Sequence, residues 1–199
     1  IGTLVGAILG FQSVIPLRQM GADVFVASIV GFAILRELGP LMTAIILAGR
    51  TGSAIAAEIG TMTINEEVNA IKTMGLDPVR FLVISRIFGI LFLAPFLTII
   101  ADFFGMVGGA LVYQSIGYPL STYLEQITTM VKMKDVFGGI LKAFPFGLAV
   151  VAVGCLRGLQ TKTGASAVGK STTSSVVTGI VLIIILDGII SAVYYVIGF

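Results

Sequence analysis

The chain has 199 residues, of which 57% are hydrophobic and 11% charged, and its mean hydropathy of +1.09 is far too high for an ordinary soluble domain. A net charge of +2 implies neither an acidic partner nor nucleic acid. With no His and a single Cys, an intrachain disulfide and a His/Cys metal cluster are both excluded.

Apolar runs long enough to cross about 30 Å of hydrocarbon predict about five membrane helices, and so an all-α polytopic membrane protein forming a single transmembrane domain over 1–199. The first run, Ile1–Leu17, opens inside an apolar stretch without Met and without the basic n-region of a signal peptide; it is expected to be part of a longer, truncated helix. The second is Val24–Ala48, interrupted only by Arg36-Glu37, and the third is Phe81–Tyr113. The fourth is Val136–Leu156, where Cys155 reads as a small buried hydrophobe, and the fifth is Val176–Ile197. All are rich in Gly, and Pro40, Pro95 and Pro145 are of the kind membrane helices tolerate. The connection between the second and third spans carries Arg50, Lys72, Arg80 and Arg86, and that between the fourth and fifth carries Arg157, Lys162 and Lys170 with no acid. The other side has Arg18, Lys132 and Lys134. Positive-inside reasoning puts the first two connections in the cytoplasm and the C-terminus outside.

Between the second and third spans, TINEEVNAIKTMGLDP (Thr63–Pro78) predicts a surface helix over Ile64–Met74. Thr63 and Glu66 have capping-box spacing. Ile64, Val68 and Ile71 share one face while Glu66, Glu67 and Lys72 point elsewhere, and Gly75 followed by Asp77-Pro78 ends the helix. About eleven residues cannot span a bilayer. The helix either lies on the cytoplasmic surface without a partner or docks into a soluble subunit. Just upstream, Gly49, Ser53, Ala57 and Gly52, Ala56, Gly60 form two faces of small residues, and Gly105 and Gly109 repeat the spacing in the third span. Such faces suit close helix packing, within one bundle or between subunits.

Charges at membrane depth are functional candidates by default: Arg36 and Glu37 in the second span, Asp102 in the third, Lys142 in the fourth and Asp187 in the fifth. Adjacent residues on a helix point about 100° apart, so Arg36 and Glu37 each need a partner or a polar cavity. Asp102 and Asp187 are both candidates for Arg36, and a purely structural charge network is the alternative. Gly39-Pro40 should weaken the helix there and open room for a cavity. Lys142 can instead snorkel to the outer surface.

The stretch LRELGPLMTAIILAGRTGSAIAAEIGTM (Leu35–Met62), followed by EEVNAIKTMGLDPVR (Glu66–Arg80), resembles the MlaE/YrbE permease family, the membrane subunits of ABC transporters that work with MCE proteins in lipid trafficking. TKTGASAVGKSTTSSVV and the Asp187-bearing last helix fit the same family's C-terminal end, and the resemblance covers nearly the whole chain. The departure from the family's pattern is at the N-terminus, where its interfacial helix and early first span are expected to be missing from this sequence. The resemblance implies a multi-pass protein of the bacterial inner membrane. It implies a homodimer served by a cytoplasmic ABC ATPase dimer, a periplasmic MCE-domain oligomer and room for a small cytoplasmic accessory subunit. It further implies lipid, commonly phospholipid, held in a cavity lined by Arg36 and Glu37, with Asp102 and Asp187 as further polar candidates. The surface helix becomes a coupling helix, its ATPase contacts drawn from Glu66, Glu67, Val68, Ile71, Lys72, Met74 and Gly75. No catalytic residue and no cofactor is expected in this chain, since ATP and Mg belong to the partner ATPase.

GASAVGKS (Gly164–Ser171) matches the phosphate-loop pattern G-x-x-x-x-G-K-[ST] letter for letter. A working loop joins a buried strand to a helix and needs a further acid for magnesium. Here it lies between two membrane spans, so it reads as a cytoplasmic turn and a chance match, with Lys162 and Lys170 facing anionic head groups. Two rival functions remain in view. An ion- or proton-coupled secondary transporter would use Arg36, Glu37, Asp102 and Asp187 as a relay, but no convincing inverted repeat supports it. An intramembrane enzyme lacks a catalytic constellation.

Overall fold

A computed structural model describes residues 1–162 and 164–198. Thr163 of the TKTGASAVGKSTTSSVV stretch and Phe199, the last residue of the expected domain, lie outside the described residues. Among the described residues all regular structure is helical. In chain order the elements are α1 (Gly2–Gln19), α2 (Asp23–Ile64), α3 (Glu67–Thr73), α4 (Val79–Ser115), α5 (Leu120–Met130), α6 (Met133–Leu159) and α7 (Ala165–Ile197).

Four of these, α2, α4, α6 and α7, contain stretches long and apolar enough to cross a membrane. Helix α1, counted from sequence as a fifth span, falls outside that set, because Gln12, Arg18 and Gln19 dilute its apolar run.

Several boundaries differ from those the sequence suggested, each for a local reason. Helix α2 does not stop at Ala48 but continues for 42 residues in all, about twice what the hydrocarbon core requires. Packing on α6 holds the extension in place. An ideal Cβ on Gly158 would lie 2.7 Å from Ile59 Cβ, and one on Gly52 would lie 3.2 Å from Val150 Cγ1. The expected capping box is absent: the Thr63 hydroxyl donates to the Ile59 carbonyl at 2.8 Å, inside α2. The chain turns through Glu66, whose φ of +61° is left-handed, and α3 starts at Glu67 rather than Ile64. Its end does follow the sequence signals. Gly75 has φ +79°, its N–H donates to Lys72 O at 3.0 Å, and Leu76 N–H reaches back to Ile71 O at 3.2 Å, a Schellman closure.

GASAVGKS is not a turn. Gly164 has φ +108°, and from Ala165 the motif forms the opening of α7. Helix α5 was not expected at all; it follows Pro119 and buries Tyr123 and Ile127, four residues apart on one face.

The chain divides into two compact units whose boundaries fall inside helices, at Thr43/Ala44, Ala94/Pro95, Lys142/Ala143 and Val193/Tyr194. The first unit contains α1, the first part of α2, the second part of α4, α5, the start of α6 and the end of α7. Its core joins Val26, Ala27, Val30 and Ile34 of α2 to Tyr113 of α4 and to Tyr123 and Ile127 of α5. Helices α1 and α4 meet backbone to backbone: a Cβ on Gly6 would fall 1.9 Å from the Gly105 carbonyl oxygen, and one on Gly108 would fall 2.0 Å from that of Thr3. The small residues of the third span are therefore used inside the bundle.

The second unit holds the remaining parts of α2, α4, α6 and α7 together with α3. Val68 and Ile71 of α3 are packed with Leu82 of α4, against which Met62 of α2 and Leu159 of α6 also pack. The two small-residue faces of α2 part company here. Gly52, Ala56 and Gly60 are buried, whereas Gly49 is exposed and a Cβ there would meet nothing within 4 Å.

Candidate functional site

The intramembrane charges of the first unit are organised around one irregular turn. Pro40 has no N–H, and its ring would clash with the carbonyl four residues back in a regular helix. The chain adapts by widening into a π turn over Ile34–Leu38, with Gly39 N–H donating to Ile34 O. Arg36 and Glu37 lie on this turn.

Each finds its partner on α6. Arg36 Nη1 donates to Asp135 Oδ1 at 3.1 Å, and Lys142 Nζ donates to Glu37 Oε2. Arg36 Nε also stands 3.9 Å from Glu37 Oε1, so the four groups form a ladder with two positive and two negative charges. Asp135 and Lys142 are seven residues apart, about two turns, and so share one face of α6. Between them sits Gly139, where a Cβ would fall only 2.0 Å from the Leu35 carbonyl oxygen. That backbone contact brings α2 close enough for both pairs to form.

The ladder is further fixed at each end. Asp135 Oδ2 accepts the Lys132 backbone N–H at 3.0 Å, reaching back to the residue before α6 and placing negative charge at the positive end of the helix. Lys142 is fully buried, stands 5.6 Å over the Tyr194 ring, and that tyrosine's hydroxyl donates to Gly138 O at 3.0 Å. Arg36 also lies 5.2 Å over the Phe32 ring. Snorkelling of Lys142 is thus replaced by pairing: inside the unit a carboxylate satisfies it better than a route to the surface.

Asp102, proposed from sequence as a partner for Arg36, takes another position. It is 4% exposed, its Oδ1 has no hydrogen-bond partner, and it packs so tightly on Gly39 that a Cβ there would fall 1.6 Å from that oxygen. Asp187 is half-buried on α7 in the second unit. The structure joins Arg36 to Asp135 and Glu37 to Lys142. Asp135 escaped the sequence reading because it sits just before the fourth apolar run; its spacing of seven from Lys142 was the available signal.

On α3, Val68 and Ile71 face the packed interior while Glu66, Glu67, Lys72, Met74 and Gly75 are exposed. Asn65 Nδ2 donates to Glu67 Oε1 at 3.3 Å, and Asn69 Nδ2 donates to Glu66 Oε2, so the acidic corner is bound into its own turn. At the start of α4, Asp77 Oδ1 accepts the Val79 N–H at 2.9 Å. In the Gly164–Ser171 match, the stretch that would form a phosphate loop is helical from Ala165, with Lys170 and Ser171 on the helix itself.

Four helices long and apolar enough to cross a membrane, joined by paired charges, define a multi-pass helical membrane protein. The family described as permease MlaE matches residues 1–193, and the chain belongs to the MlaE permease family. A probable ABC transporter permease protein of Rickettsia conorii is 36% identical, the match covering 96% of this chain and 74% of that protein. The intermembrane phospholipid transport system permease protein MlaE of Haemophilus influenzae is 30% identical over 98% of this chain and 75% of its own length. The chloroplastic protein TRIGALACTOSYLDIACYLGLYCEROL 1 of Arabidopsis thaliana is 32% identical over 97% of this chain and 55% of its own.

Proposed function

We propose that this chain is the non-catalytic membrane subunit of an ABC transporter that moves lipids, phospholipids foremost, between the bacterial inner membrane and an MCE-protein assembly on the outer side. The name of the Haemophilus relative supports the substrate class, and the family supports the transporter type. The observation that carries the reading is the two-sided character of α3. Val68 and Ile71 pack it into the chain, while Glu66, Glu67, Lys72 and Met74 stand exposed. An ATPase docked on that exposed face moves α3. Through Leu82, Met62 and Leu159 the movement then reaches α4, α2 and α6, a rigid-body transmission.

Arg36 and Glu37, on the π turn of α2, meet the lipid. Their side chains are 18% and 34% exposed, so the ladder neutralises them without sealing them off. The stripe of Gly49, Ser53 and Ala57 supplies the close-packing face for a second copy in a homodimer. ATP and Mg are bound by the partner ATPase dimer, and an accessory cytoplasmic subunit fits the same scheme. An ion-coupled relay is less well supported, because Arg36 and Glu37 are engaged with Asp135 and Lys142.

The test is purification in mild detergent from the native host. Co-purification of an ATPase and an MCE-type protein, with ATP turnover that tracks lipid transfer, supports the proposal. Transport driven by an ion gradient without an ATPase refutes it.

A further inference from the structure

The end of α6 and the opening turns of α7 form a pocket of about 550 Å³ within the second unit, lined among others by Arg157, Gln160, Lys162, Lys170, Ser171 and Ser174. None of its lining residues is acidic, and the sequence has no Asp or Glu anywhere from Val136 to Leu186. Among the described residues, Arg157, Lys162 and Lys170 form no ion pair. Among the described residues, three cations thus converge without an anion.

The pocket is built rather than merely basic. Arg157 Nη2 donates to Thr178 Oγ1 at 3.1 Å, while its buried Nε meets no acceptor among the described residues. Thr161 Oγ1 and Ser171 Oγ are hydrogen-bonded at 2.8 Å, tying the end of α6 to α7. Guanidinium, ammonium, amide and hydroxyl groups offer donors to several oxygens at once, which suits a tetrahedral phosphate better than a lone carboxylate. The N-terminal end of α7 adds partial positive charge. The pocket lies where α6 and α7, both containing stretches long and apolar enough to cross a membrane, meet at a short polar connection.

We infer that this pocket is a phosphate site that grips the headgroup of an anionic phospholipid from the adjoining leaflet. It is separate from the Arg36–Glu37 ladder, which belongs to the other unit. It requires only that the chain spans a membrane, and does not depend on lipid being the cargo. The GASAVGKS match acquires a physical content here: Lys170 and Ser171 meet phosphate from the side of a helix, without a phosphate loop.

The full-length protein is placed in nanodiscs of phosphatidylcholine alone or mixed with phosphatidylglycerol, and retained lipid and thermal stability are measured. The wild type retains phosphatidylglycerol selectively. In the Lys162→Gln/Lys170→Gln variant, whose lysines are exposed, affinity falls about fivefold per lysine, or roughly 25-fold in all. Arg80→Gln, an exposed basic residue outside the pocket, serves as the control and keeps wild-type selectivity. In a second arm, inorganic phosphate or ATP is added to detergent-solubilised protein free of phosphatidylglycerol. Stabilisation there that is lost in the double variant, with no lipid selectivity, keeps the phosphate site but assigns it a soluble ligand. Wild-type binding in the double variant, an equal loss in Arg80→Gln, or no binding of either probe overturns the inference.

Discussion

Gly139 and Leu35 are in backbone contact: a Cβ added to the glycine would lie 2.0 Å from the leucine carbonyl oxygen. This contact sets the spacing on which the Arg36–Asp135 and Glu37–Lys142 pairs both depend, because Asp135 and Lys142 lie about one turn to either side of Gly139. Gly139→Ala must separate α2 from α6 and stretch both pairs together. The expected cost is about 1–3 kcal/mol from overpacking, plus part of each pair. Thermal unfolding in detergent checks it, and a melting temperature equal to that of the wild type would show that the spacing is set elsewhere.

The ladder should behave as a unit. Lys142→Met removes the fully buried partner of Glu37, a change expected to cost about 2–3 kcal/mol, below the figure for a wholly buried pair because Glu37 is 34% exposed and lies 3.9 Å from Arg36. Adding Glu37→Gln removes the underpaired charge and should recover much of that loss. A double-mutant cycle measures the coupling; simple additivity of the two changes would argue that Lys142 and Glu37 do not stabilise one another.

Asp102 and Gly39 make the opposite prediction. Asp102 Oδ1 has no hydrogen-bond partner, so Asp102→Asn should leave stability unchanged or raise it, since a buried carboxylate is the costlier group. Gly39→Ala should destabilise by placing a methyl 1.6 Å from that oxygen, and Asp102→Ala in the same chain should relieve it. Chemical unfolding of the three variants separates these outcomes. A strongly destabilised Asp102→Asn would mean that the carboxylate is needed for structure.

Tyr123, on α5, donates its hydroxyl to Met106 O at 2.9 Å, and burial pushes its pKa up to about 12. The folded protein therefore favours the protonated phenol more than the unfolded chain does. Its contribution is complete below the ordinary tyrosine pKa of about 10 and is lost as pH rises from there through about 12. Tyr123→Phe should cost about 1 kcal/mol by removing its hydrogen bond to the Met106 carbonyl and should flatten the alkaline limb of the stability profile near that range. A pH series of melting temperatures on both proteins is the check.

What the sequence made legible follows from what local patterns can encode. Hydropathy marked the four long spans because burial in lipid needs only length and apolarity. The end of α3 was readable because Gly75 and Pro78 act on their own neighbours. The extension of α2 past Ala48 was not, since Gly52, Gly154 and Gly158 make sense there only against a facing helix. Helix α5 was hidden because Tyr123 and Ile127 bury a narrow face in a stretch otherwise polar enough to pass for a loop. The partner of Arg36 was hidden too: Asp135 lies 99 residues away, and only its spacing of seven from Lys142 distinguishes it from a solvated acid beside Lys132 and Lys134.

The central claim is that force enters through the exposed face of α3. Its most direct test is the ratio of lipid transferred to ATP hydrolysed by the reconstituted complex carrying Glu67→Lys. Glu67 is exposed, so the variant should fold and reach the membrane normally. The ratio should collapse, with lipid transfer lost while the ATPase still turns over or fails to dock. Normal assembly with an unchanged ratio would contradict it.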